Sequence, residues 1–225
     1  LALLLNLETA TTNCSVAVSQ DGKTIALKQD RRNGYSHAEK LHVFIDEALK
    51  IAKVDKTELD AIAISKGPGS YTGLRIGVST AKGLSFALDK PLISVPTLEV
   101  LARQIEADFG VIVPMLDARR MEVYSAIFDS NYNPLRETQA QILDENAFSE
   151  YLERGEVCFI GNGVEKTKTL INHPNVVFIE DKLPSANEMG MLAEQKYNQT
   201  DFEDVAYFEP YYLKDFVALK PKPRA

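Results

Sequence analysis

Cysteine and histidine are scarce in this chain, with two and three copies among 225 residues. Cys14 and Cys158 stand far apart, which points to reduced thiols in a cytoplasm and argues against a disulfide-stapled secreted fold. Three histidines give little material for a metal centre. His37 and His42 are five positions apart, so a regular helix holds them about 140° from one another and they cannot share an ion. The position four after His37 is Leu41, and His173 stands beside Pro174 in a loop-like stretch. Long apolar runs are also missing, so no helix is expected to cross a bilayer. Leu1 to Leu7, followed at once by Glu8, lacks the basic flank and cleavage site of a signal peptide and reads as a strand. Basic residues are outnumbered 25 to 32, a net charge of −7. That balance disfavours a protein that holds nucleic acid by itself, because such binding is driven by Lys and Arg on phosphates. The exception is the tail, where Lys214, Lys220, Lys222 and Arg224 sit among prolines and read as a solvated terminus.

What is present is ordinary globular material, 45% hydrophobic and 25% charged, enough for one large domain or two small ones. The first segment is almost continuously apolar, as a strand covered on both faces should be. Cys14, Val16 and Val18 then alternate with small residues. Asp21-Gly22 separates them from a second alternating run through Ile25 and Leu27, a hairpin signal. Ser36 with Glu39 three positions later marks a helix start, and Leu41, Phe44, Ile45, Ala48, Ile51 and Ala52 recur at helical spacing. A strand at 61–65, a helix at 72–87, a strand at 92–95 and a helix at 97–106 follow. From Gly110 the pattern restarts, with strands at 111–116, 122–129, 157–160 and 176–179 and helices near 146–154, 163–171 and 186–198. We place the boundary near Glu106–Gly110, giving domain 1–107, which carries the two long helices, and domain 108–225, whose tail is expected to pack back on the first.

Gly67-Pro68-Gly69-Ser70-Tyr71-Thr72-Gly73-Leu74-Arg75-Ile76-Gly77 is the most informative run. A glycine-rich turn from strand to helix can present backbone N–H groups and a helix N-terminus to an anion. Pro68 cannot donate, however, and no lysine stands where a phosphate loop needs one. The competing reading is a tight turn whose glycines let helix and sheet approach closely. In the helix, Gly73, Gly77 and Ala81 recur every four residues. Each glycine costs about 1 kcal/mol there, which points to a packing need. That need is met either by the chain's own sheet or by another molecule.

Independent catalysis is poorly supported. Ser70 and Thr72 lack identifiable His and Asp partners. Asp117 and Glu122 could form an acid–base pair, but on a strand and its turn they are better suited to holding Arg119 and Arg120. Cys14, in an alternating strand without a basic neighbour, reads as core.

The glycine run, with Asp117-Ala118-Arg119-Arg120-Met121-Glu122-Val123-Tyr124, Gly161-Asn162-Gly163 and Glu209-Pro210-Tyr211-Tyr212-Leu213, resembles the bacterial TsaB (YeaZ) family from Leu3 to Leu213. The resemblance implies an α/β chain of two domains in the actin-like or sugar-kinase-like ATPase (ASKHA) fold, with mixed sheets flanked by helices. It implies a cytoplasmic, non-catalytic subunit that activates a TsaD-type transferase. That enzyme attaches threonylcarbamoyl to the adenosine next to the anticodon of certain tRNAs. A TsaE-type ATPase joins the pair, tRNA is contacted only indirectly or weakly, and no membrane is involved. The family's partner surface, carried over, draws on Leu41, Ile45 and Ala48 of the first helix and Leu74, Gly77, Val78 and Ala81 of the second. The same helices would form a homodimer when the chain is alone.

The ATP-hydrolysing members of the fold need an Asp after the first strand and glycines after a second Asp. Here Glu8 and Thr9 stand at the first position, and Asp117 is followed by Ala118-Arg119-Arg120. These departures imply a vestigial nucleotide site at Glu8, Thr9, Gly67, Gly69, Asp117, Gly161 and Gly163. Such a site has no cofactor of its own and takes ADP or ATP weakly or only when a partner completes it. The rival readings are an independent actin-like ATPase or kinase using Glu8 and Asp117, a metal-dependent protease, which the histidine spacing opposes, and a self-sufficient homodimer.

Overall fold

The computed structural model describes residues 2–31, 37–105 and 109–214. The chain opens with β1 (Leu3–Glu8), β2 (Cys14–Gln20) and β3 (Lys23–Asp30). β1 and β2 pair antiparallel with Leu5 opposite Val18 and Glu8 opposite Ser15. The turn between β2 and β3 is Asp21-Gly22, with φ of 53° and 73°. Positive φ at two successive residues suits the right-handed twist of a hairpin, and Asp-Gly tolerates it. Next come α1 (His37–Ala52), β4 (Ala61–Gly67), α2 (Tyr71–Leu88), β5 (Leu92–Pro96) and the short α3 (Thr97–Ala102). The Ser36 cap expected for α1 lies outside the described residues, as do residues 106–108 at the expected domain boundary.

The second half holds β6 (Val111–Asp117), β7 (Glu122–Asp129), β8 (Pro134–Ile142), α4 (Ser149–Leu152), β9 (Val157–Ile160), α5 (Val164–Lys168) and β10 (Val176–Ile179), and the chain returns through α6 (Met189–Asn198). The first sheet runs β3-β2-β1-β4-β5 and the second β8-β7-β6-β9-β10. In each, the first three strands are antiparallel and the last two join in parallel. The two halves are therefore built to one plan.

Alternation along the strands divides the first half into two cores. Leu5, Leu7, Val16, Val18, Ile62 and Ile64 pack with Leu41, Ile45 and Ala48 of α1 and Val78 and Ala81 of α2. On the opposite face Leu4, Ala17, Ala61 and Ala63 pack with Met189, Leu192 and Ala193 of α6. Each large aliphatic side chain taken fully out of water is worth about 1.5–3 kcal/mol. α3 joins the halves: Leu98, Leu101 and Ala102 pack with Ile112, Leu116 and Phe128 of the second sheet.

α6 and the segment after it lie on the first half. The Glu203 N–H donates to Leu92 O at 2.8 Å, Val205 and Phe208 join the core under α1 and α2, and the Tyr211 N–H donates to Lys66 O at 2.8 Å. Lys214, read from sequence as part of a free tail, is bonded to Glu122 and lies over the Tyr124 ring.

Candidate functional site

β1 delivers Glu8 and Thr9 to the start of α2, where the glycine run lies. The Thr9 hydroxyl donates to Gly73 O at 2.8 Å, and the Ser70 N–H donates to Ala10 O at 2.7 Å. A methyl group built on Gly69 would stand 2.4 Å from Ala10 O, on Gly73 2.2 Å from Thr9 O, and on Gly77 2.1 Å from Thr9 Oγ1. Residues 9 and 10 thus fill a trough made by glycines 69, 73 and 77. Of the packing partners left open by the sequence, the chain's own β1–β2 turn occupies this stripe. Gly67, at φ 111°, is covered by Tyr211, whose carbonyl would be 2.8 Å from an added Cβ. The N–H groups of Ser70 and Gly73, which an anion at the helix start would seek, are bonded to Ala10 O and Ser70 Oγ.

Glu8 is fully buried, with Oε1 accepting from the Ala10 N–H at 2.6 Å and Oε2 without a hydrogen bond. Burial pushes its carboxyl up to about 7, against the downward pull of the Ala10 N–H and the nearby Ser65 hydroxyl. The Ser65 hydroxyl itself lies 2.5 Å from Thr97 Oγ1.

The second half places Asp117 at the end of β6. Its N–H donates to Asn162 Oδ1 at 2.9 Å, and its Oδ1 accepts from the Arg119 N–H and from Lys166 Nζ, at 2.7 and 2.6 Å. Lys166 also donates to Arg120 O and Glu122 O. Arg119 and Arg120 both have left-handed backbones, φ 67° and 51°. Their turn is held by a lysine and a backbone bond; Asp117 holds the backbone of Arg119, and Glu122 is bonded to Lys214. Gly161, φ 118°, packs where a Cβ would lie 2.2 Å from Met115 O, and Gly163 packs on Val123 and Met115. The Gly161-Asn162-Gly163 turn therefore serves β6. Glu8 and Asp117 lie in different halves and each is engaged within its own.

The carried-over partner residues lie on the core side of their helices. Leu41, Ile45, Ala48, Leu74, Gly77, Val78 and Ala81 are all buried on the inner faces of α1 and α2. A helix that packs on a sheet turns its apolar stripe inward. The exposed large apolar side chains of the two helices are Val43, Ile51 and Phe86, which are 51%, 54% and 82% exposed. Phe86 borders an open groove of about 660 Å³ lined by Lys82, Gly83, Asp204, Val205 and Ala206. No local signal announced residues 204–206 as part of this surface, since they reach it from the far end of the chain.

The remaining candidates are structural. His37 Nε2 lies 2.7 Å from Thr11 O, and burial lowers its pKa. His173 Nδ1 accepts from the Asn175 N–H. Burial pushes the thiols of Cys14 and Cys158 up to about 11 and about 12. Among the described residues no group of three or more His, Cys, Asp or Glu could hold a metal ion, and no helix is long and apolar enough to cross a membrane.

Twin mixed sheets of one strand order, joined through α3 and flanked by helices, define a member of the actin-like ATPase (ASKHA) fold class. The structure of the ethanolamine utilization protein EutJ from Carboxydothermus hydrogenoformans shares this fold at TM-score 0.53 and 10% identity, over 86% of this chain and 89% of that one. YeaZ from Pseudomonas aeruginosa superposes far better, at TM-score 0.84 and 25% identity, over 95% of this chain and all of that one. The family model for tRNA N6-adenosine threonylcarbamoyltransferase, TsaD, matches residues 31–222. The Escherichia coli tRNA threonylcarbamoyladenosine biosynthesis protein TsaB is 30% identical over 98% of both chains. The chain belongs to the TsaB (YeaZ) family, which is related to TsaD.

Proposed function

We propose that the chain is a cytoplasmic, non-catalytic activating subunit in the formation of threonylcarbamoyladenosine in tRNA, acting by binding a TsaD-type transferase. The observation that carries this reading is the filled glycine trough. The start of α2 is occupied by Thr9 and Ala10, and Glu8 is buried beside them, which speaks against an anion-binding reaction centre at that helix end. What it keeps open is apolar surface on the outside of α1 and α2, with Phe86 at its edge. Burying an exposed phenylalanine is worth about 1.5–3 kcal/mol, enough for one such residue to anchor a contact. The names of the relatives support the pathway, and the outer helix faces support a docking role.

The partner is a TsaD-type transferase in a heterodimer. A TsaE-type ATPase joins the larger assembly, and a second copy of this chain takes the same face in the transferase's absence. ADP or ATP binding is weak in the chain alone or is completed by the partner.

The test is threonine incorporation into unmodified tRNA by the same organism's transferase, with the adenylate-forming enzyme, the small ATPase, ATP and bicarbonate. Incorporation should require both the transferase and this chain. Equal incorporation without the chain overturns the proposal. Steady ATP turnover by the pure chain, lost in Glu8→Ala, would instead favour the independent ATPase.

A further inference from the structure

A buried polar layer separates the C-terminal end of the first sheet from the segment that leads into α6. From the sheet come Asn6, Glu8, Ser15, Ser19 and Ser65, and from the turn before β2 comes Asn13, all fully buried. From the returning chain, the Ser185 hydroxyl lies 3.3 Å from Ser15 Oγ, the Ala186 N–H donates to Ser15 Oγ at 3.1 Å, and Pro184 O accepts from Asn13 Nδ2 at 2.9 Å. Glu8 and Ser15 are opposite one another in the β1–β2 pairing, so Glu8 lies in the same layer. Glu188, from the turn before α6, is close enough to raise the Glu8 carboxyl through its charge.

The layer is short of donors. Asn6 Oδ1, Glu8 Oε2, Asn13 Oδ1 and Glu188 Oε2 are buried acceptors that make no hydrogen bond among the described residues. Two belong to carboxylates, which can accept only until they take a proton. A proton on Glu8 adds a donor and removes a charge from a site that cannot solvate it.

We propose that Glu8 is a proton-operated latch: protonated, it keeps residues 184–198 seated on the first sheet, and its ionisation loosens that seat. The charged groups around the layer come from each element packed on it. Glu188 belongs to the returning turn, and its own burial raises its carboxyl against the downward pull of Asn187, of Arg31 after β3 and of Lys182 before the turn. Asp30 of β3 and Lys40 of α1 act on the neighbouring Cys14 thiol, which burial holds up to about 11 and so keeps uncharged. His37 is held below its usual value by burial and is neutral at neutral pH. Glu8, raised to about 7, changes charge as pH passes neutrality, and Glu8→Gln separates its response from that of Glu188.

The sign follows from linkage. A carboxyl raised in the seated state binds its proton more tightly there than when released. The seat is firmest at low pH and weakens as pH climbs from the released value through about 7. With an ordinary carboxyl in the released state, release at pH 8 should exceed that at pH 6 roughly tenfold.

Hydrogen exchange on the full chain tests this. After correction for intrinsic rates, the amides of α6 should lose roughly tenfold in protection from pH 6 to 8, while those of α1, on the other face, hold theirs. Glu8→Gln, which cannot ionise, should keep α6 protected at pH 8. Unchanged α6 protection in the native chain overturns the latch, as does an equal loss in α1 or the same pH response in Glu8→Gln. Should that variant fail to fold, the carboxyl carbon of Glu8 can be titrated by NMR in the native chain. A midpoint near 7 supports the latch, and one below about 5 overturns it.

Discussion

Thr9 Oγ1 donates to the carbonyl of Gly73 at 2.8 Å, and a methyl group on Gly77, one turn further along α2, would lie 2.1 Å from that same hydroxyl oxygen. Sixty-four residues separate Thr9 from Gly73 in the chain. The contact explains why a soluble helix carries glycine where alanine would favour the helical state.

Three glycines of α2 should therefore respond to alanine in two different ways. Gly73→Ala and Gly77→Ala drive a methyl against the β1–β2 turn and should each cost about 1–3 kcal/mol. Gly83 has nothing within 4 Å of an added Cβ, so Gly83→Ala should gain about 1 kcal/mol from helix propensity alone. Urea unfolding of the three variants measures both signs. Destabilisation by Gly83→Ala to the same extent as Gly77→Ala would mean that helix geometry, not the Thr9 contact, sets the effect.

Burial separates two positions of α2 that both look apolar in the sequence. Val78 is 4% exposed within the core, so Val78→Asp should cost about 3–5 kcal/mol as an uncompensated buried charge. Phe86, 82% exposed, should tolerate Phe86→Ser within about 0.5 kcal/mol of native stability. Phe86→Ser should nonetheless weaken transferase binding by about 2 kcal/mol, a roughly 30-fold rise in Kd. Thermal unfolding and titration calorimetry with the transferase separate the two effects. Native affinity in a folded Phe86→Ser variant would move the docking surface away from this end of α2.

Much of the fold was legible because local rules agree with the tertiary structure. Asp21-Gly22 turns where it should, β1 is largely apolar because both faces are covered, and α1 and β4 lie where their periodicities indicate. β8 was missed. Its sequence, PLRETQAQI, lies at the edge of the second sheet with much of it exposed, so it carries no apolar alternation to read. The helix expected at 146–154 shrinks to Ser149–Leu152 because Phe148 takes a left-handed backbone, φ 66°, at its start. The helix expected at 97–106 keeps its α-form only to Ala102. At the site, the glycine stripe was visible but its occupant was not. Spacing marks the trough, whereas only the folded chain brings Thr9 and Ala10 into it. The same limit hid the inward direction of Leu41 and Val78, since an apolar stripe at helical spacing suits a core and an interface equally.

The β6–β7 turn gives the last test. Arg119 and Arg120 hold left-handed backbones that cost an ordinary residue about 1–2 kcal/mol each. Lys166, whose side chain is 16% exposed, holds the turn by donating to Asp117 Oδ1, Arg120 O and Glu122 O. Lys166→Met keeps the aliphatic stem and removes the three donors, so it should cost about 1–3 kcal/mol. Arg120→Gly, which meets φ 51° without a Cβ clash, should recover about 1 kcal/mol of that loss. Combining the two variants in urea unfolding tests the coupling. If Arg120→Gly stabilises the native chain and the Lys166→Met chain equally, lysine clamp and backbone strain are independent. A larger gain in the Lys166→Met chain identifies the ammonium as the group that keeps the strained turn in place.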